Sequence, residues 1–113
     1  MVLFDATRVK QLLGETGTTN DIKIQHYGSM ADTFVINDLI SVKDMPNPPV
    51  VTAGVLTQAD LNEIKNHATL ITVAYFYKFE SGDAITSDNA EQSWGMFFRN
   101  KFQRPRFYST SGI

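Results

Sequence analysis

The chain has 113 residues, 42% of them hydrophobic and 19% charged, with a formal net charge of −2. That composition fits one globular domain, and no run approaches the roughly 18 to 20 apolar residues that a membrane span needs. With no cysteine, a disulfide framework, a thiolate nucleophile and a Cys-based zinc site are excluded.

The opening Met1-Val-Leu-Phe lacks the basic start and apolar run of a signal peptide, so synthesis in the cytoplasm is expected. Asp5 is the expected cap of a short helix from Ala6 to Leu13 with Val9, Leu12 and Leu13 as its apolar side. Phe4 and Val9 have the spacing of a hydrophobic staple, and Gly14 is the stop. Thr18 followed by Asp21 has the capping-box spacing, so a second helix is expected from about Asn20 to Leu39. Its stripe is Ile24, Tyr27, Ala31, Phe34 or Val35, and Leu39. Gly28-Ser29 inside it costs about 1 kcal/mol relative to Ala. Either another helix backbone packs closely there or the helix breaks.

Ser41 to Val55 holds Pro46, Pro48 and Pro49, which cannot be helix interior. A structureless middle loop of this length is uncommon in a compact domain and often functional. An alternative is a short strand in VVTAGV that pairs outside the chain. The longest uninterrupted stretch follows, Leu56 to Glu80. Leu61, Ile64, Ala68, Ile71 and Tyr75 recur at steps of three and four, Thr57 and Asp60 mark the start, and Gly82 the stop. Its second half is also rich in the β-branched and aromatic residues that strands favour. The polar leader DLNEIKNH shares the helical period, and a strand of over twenty residues would be abnormal. Leu70, Val73, Ala74, Phe76 and Tyr77 make this half apolar on nearly every face, which implies burial by the last helix or by another subunit.

SGDAITS is read as a turn. Asp88 with Glu91 then opens a last helix from Asn89 to about Gln103, striped by Ala90, Trp94, Phe97, Phe98 and Phe102, and Pro105 ends it. The expected architecture is all-α: a small helical bundle of one short helix, two long helices and a C-terminal helix. A Pro-rich middle loop interrupts it, and an extended tail closes it. The bundle domain spans 1–104 and the tail 105–113.

The candidate chemistry is sparse. His67 lies one turn after Glu63, which suits half a metal site or an oriented base, but spacing places no third ligand, and EIKNH is not HExxH. A partly exposed i, i+4 pair is the simpler reading, and His26 beside Tyr27 is read as a surface or satisfied polar residue. No catalytic, cofactor-binding or metal residues are assigned, and no enzyme is expected.

Charge is more informative. Arg99, Lys101, Arg104 and Arg106 contain no acid among them, while the other six basic residues stand against twelve acids. With Phe102, Phe107 and Tyr108, this end could hold phosphates and stack on bases. It could equally be cations favouring a helix C-terminus before a tail that docks on protein. Aromatics with Arg are enriched in protein interfaces, and an acidic body would repel a duplex.

The order of these features resembles the head–tail connector (adaptor, or head-completion) proteins of tailed viruses, the bacteriophages. The resemblance is carried by IxxYxxxADTFVINDLI from Ile24 to Ile40, the Pro-rich DMPNPPV, the helix LTQADLNEIKNHATLITVAYFY, and a last helix with AEQSWGMFF. These cover about Thr18 to Arg104. It implies a structural virion protein of the neck, made in the host cytoplasm. Such a protein forms a homo-oligomeric ring, typically a dodecamer, under the portal protein and joins capsid to tail. Further neck or tail proteins would be partners. DNA would pass through the channel without sequence-specific binding, and no membrane or cofactor would be involved. The C-terminal segment, with Arg99, Lys101, Phe102, Arg104, Arg106, Phe107 and Tyr108, would dock on the portal or an adjacent subunit. The loop, with Met45, Pro46, Pro48, Pro49 and Val50, would touch a neighbour. The alternative is a small helical nucleic-acid-binding or regulatory protein using the same basic segment.

Overall fold

The computed structural model describes residues 2–103, which form four α-helices: α1 Ala6–Leu13, α2 Asp21–Leu39, α3 Gln58–Ser81 and α4 Ala84–Phe102. The chain is an all-α bundle organised on α3, which packs against each of the other three helices. The caps explain most of the boundaries. Asp5 accepts from the Arg8 amide and opens α1, and Thr57 accepts from the Asp60 amide and opens α3. Gly14 and Gly82 end those helices at φ 74° and 75°, in the left-handed region that a side chain would resist.

One cap and one boundary differ from expectation. No side chain caps α2; Asn20 stands at the cap, and Thr18 contributes only its carbonyl oxygen, to the Asp21 amide at 3.2 Å. SGDAITS is not a turn. Gly82 closes α3, and Asp83 immediately caps α4, accepting from the Thr86 amide and hydroxyl. Those bonds hold the Asp83 carboxyl below its usual range. The last helix therefore begins at Ala84 rather than Asn89, because a cap directly after the glycine leaves no need for turn residues.

The core takes Ile24, Tyr27, Ala31, Val35 and Leu39 from α2, Leu61, Ile64, Ala68, Ile71 and Tyr75 from α3, and Trp94 and Phe98 from α4. Of the expected apolar side of α1, only Val9 is buried, while Leu12 is exposed. The pairing of Asp60 with Lys101, His67 with Trp94 and Tyr75 with Glu91 makes α3 and α4 antiparallel neighbours. At the far end of α3, Glu80 accepts from the Tyr27 hydroxyl and the Lys23 ammonium of α2. Lys23 first and Tyr27 second hold the Glu80 carboxyl low, and the same bond pushes the Tyr27 hydroxyl up.

The residues before α1 are locked by a buried carboxylate. Asp32, only 5% exposed, accepts from the Leu3 amide at 2.9 Å and the Phe4 amide at 3.0 Å. Burial pushes the Asp32 carboxyl up, and the two amides pull it back. The Asp5 amide donates to Thr69 Oγ1 of α3. This segment also explains Gly28. Helix α2 runs through it unbroken, and the nearest atoms are not those of another helix backbone. Instead the Phe4 ring lies on it, so closely that an added Cβ would sit 2.3 Å from ring carbons.

The Pro-rich stretch has its own order. It begins with turns that follow from the end of α2, then passes through a cis Asn47–Pro48 bond. The VVTAGV segment forms no extended strand within the chain. Thr52 and Leu56 exchange both backbone hydrogen bonds around Gly54, whose φ is 76°, and the buried Leu56 anchors the loop.

Candidate interaction surface

The C-terminal turn of α4 separates the candidate residues by role. Phe102 is half-buried and packs on the rings of Phe97 and Phe98, at centroid distances of 6.2 and 5.7 Å. Lys101 reaches back to α3, with its Nζ 3.6 Å from Asp60 Oδ1. Arg99 is exposed, and its guanidinium lies over Gly95, where an added Cβ would come within 3.1 Å of it. Arg104, Arg106, Phe107 and Tyr108, like the whole tail 105–113, lie outside the described residues.

The loop residues divide in the same way. Pro49 is buried and Met45 packs against the core, so these two hold the loop rather than present a contact. Pro46 is half-buried, whereas Pro48 and Val50 face outward together with Val51. The fold brings the loop and the end of α4 together. Val42, Lys43 and Val55 meet Lys101, Phe102 and Gln103 around a cleft of about 340 Å³. Sequence reading treated these two segments separately, and Lys43 was missed because no local pattern links it to a residue nearly sixty positions away.

A second cleft, of about 400 Å³, lies where α2 meets α4. Phe34 and Trp94 form its apolar part, and Asp38, Asp88, Glu91 and Arg99 its charged part. Two of its three carboxylates, Asp38 and Glu91, are built into the fold. The Trp94 indole donates to Asp38 Oδ2 at 2.7 Å, and the Tyr75 hydroxyl donates to Glu91 Oε2 at 2.6 Å. Burial first, and Glu91 second, push the Tyr75 hydroxyl well above the usual phenol range. Arg99 therefore sits beside acids of its own chain, not in an isolated basic patch. Asp38 carried no local signal, since its partner Trp94 is 56 residues away.

The histidines are not paired as expected. Glu63 is exposed, but His67 is buried against the rings of Trp94 and Phe97, at 5.7 and 5.2 Å. Burial pulls its pKa below the ordinary 6.5, against the opposing pull of Glu63. The imidazole is a neutral packing element between α3 and α4. His26 is exposed and leans on the Tyr27 ring. Among the described residues, no three or more His, Asp or Glu side chains are grouped to hold a metal ion, and no helix is long and apolar enough to cross a membrane.

The apolar half of α3 is only partly absorbed. Ile71, Ala74 and Tyr75 are buried between the helices and Phe76 packs on the core. Leu70, Val73 and Tyr77 recur at steps of three and four on the opposite side. Leu70 is 41% and Tyr77 36% exposed, and Val73 is half-buried. The chain thus carries one outward apolar stripe on its central helix, one mixed cleft at the loop, and one acidic–aromatic cleft. Comparison with protein-family models, curated proteins and solved structures finds no match to this chain.

Proposed function

We propose that this chain is a non-catalytic structural protein of the neck of a tailed virus, a ring-forming connector that docks under the portal and joins capsid to tail. The observation that carries the reading is the stripe Leu70, Val73 and Tyr77. It places apolar surface outward on the one helix that all others pack on, where a second protein surface would cover it. The order of helices and the Pro-rich loop that prompted the resemblance support it too. The two ends of the Pro-rich loop and the last turn of α4 share one cleft, which brings Lys101 and Phe102 close to that loop.

The nucleic-acid alternative draws less support from the described residues. Lys101 is engaged by Asp60, and Arg99 stands among Asp38, Asp88 and Glu91, an arrangement that repels phosphates. Native mass spectrometry and electron microscopy of the purified protein with its cognate portal test the proposal. A ring bound to the portal is expected. A monomer that ignores the portal and binds DNA with a steep salt dependence would overturn it. Deleting residues 103–113 should abolish portal binding while keeping the helical circular dichroism.

A further inference from the structure

Two clefts adjoin α4, and they carry opposite charge. The one at the Pro-rich loop is lined by Lys43 and Lys101, and no carboxylate lines it. The one between α2 and α4 sets Asp38, Asp88 and Glu91 against Arg99, three negative charges to one positive, a net of −2. Phe34 and Trp94 supply its apolar part. Among the described residues, no ion pair joins Arg99 to the three carboxylates. Trp94 engages Oδ2 of Asp38 and Tyr75 engages Oε2 of Glu91, so Oδ1 and Oε1 can each accept a further donor. A segment that carries cations followed by aromatic rings fits such a cleft.

The chain supplies that segment directly after α4, in Arg104, Arg106, Phe107 and Tyr108. We propose that it folds back into the α2–α4 cleft of its own chain, with Arg106 at Asp38 and the two rings over Phe34. Charge selects between the clefts, because the acidic one draws the arginines and the lysines of the other repel them. Reach agrees with this choice. From Gln103 back to Trp94 is nine residues, about 14 Å of helix. Four extended residues span about the same distance, which returns Phe107 to the level of Trp94 and Asp38. Phe34 lies one turn of α2 before Asp38, further along the same path. The assignment concerns the chain alone and does not rest on the connector reading. Any partner that takes these arginines must first displace them from this cleft.

Because the chain contains no cysteine, an introduced pair reports this contact alone. Gln92 is exposed at the acidic cleft, and Ser41 is exposed at the loop cleft. Under mild oxidation of dilute protein, Gln92→Cys with Tyr108→Cys should close an intrachain disulfide. It should form about ten-fold faster than Ser41→Cys with Tyr108→Cys, the ratio that one charge-assisted hydrogen bond supports. Adding Arg106→Glu should remove most of that advantage, and so should high salt. Circular dichroism matching the wild type shows that each variant folds. Equal rates for the two pairs, a faster Ser41→Cys pair, or a Gln92→Cys disulfide formed only between chains would overturn the proposal. So would an Arg106→Glu variant that closes as fast as its parent. Each of these failures leaves the connector reading standing, since no portal enters the experiment.

Discussion

The two ends of the described chain are held by opposite means. At the start, Asp32 is buried and receives two backbone amides from residues 3 and 4, and the Phe4 ring seals Gly28. At the finish, α4 is tied to α3 by an ion pair at 3.6 Å, with Lys101 half exposed. A buried carboxylate with directed donors has few alternatives, because losing either side strands a polar group out of water. A surface pair exchanges its partner for water at little cost. The entry of the chain is thus committed to the fold, while the Lys101–Asp60 tie at its described exit can open at little cost.

Substitutions can break this contrast, beginning with the largest effect. Asp32→Ala strands two amides and should lower unfolding stability by about 3 kcal/mol, read by denaturant titration. A loss below about 1 kcal/mol would remove the distinction between the ends. Gly28→Ala forces the Phe4 ring off α2 and should cost about 2 kcal/mol, with a large chemical-shift change at Phe4. Between α3 and α4, His67 gives a pH signature. Its folded pKa is lowered, so its contribution is complete above 6.5 and is lost as pH falls through the folded value. His67→Gln should flatten the stability profile in that window; an unchanged slope would mean that the ring is hydrated. Lys101→Ala should change stability least, by about 0.5 kcal/mol, with the small effect vanishing in high salt.

How much of this was readable in the residues depends on distance along the chain. The caps Asp5 and Thr57, the stops Gly14 and Gly82, and the span of α2 are local features, and each lies where the pattern puts it. The start of α4 was missed by five residues because Gly82-Asp83 has turn composition, and Ile85-Thr86 carries little helix propensity. Only the placement of the Asp83 side chain on Thr86 separates cap from turn. The candidate surface was legible as composition and not as geometry. Met45 and Pro49 were expected to touch a neighbour yet hold the loop inward, and Asp38 and Lys43 gain their neighbours solely through packing. His67 read as half of an exposed pair, because nothing local shows that Trp94 and Phe97 cover it.

The bonds at the chain's entry also set an order of events during synthesis. Leu3, Phe4 and Asp5 leave the ribosome before their partners exist. Asp32 follows 29 residues after Leu3, and Thr69 64 residues after Asp5. At about 5 to 20 residues per second, these residues wait several seconds with their amides in water. This segment is therefore fixed only once α3 has been made, and a nascent chain halted before α3 emerges should leave it open to proteolysis.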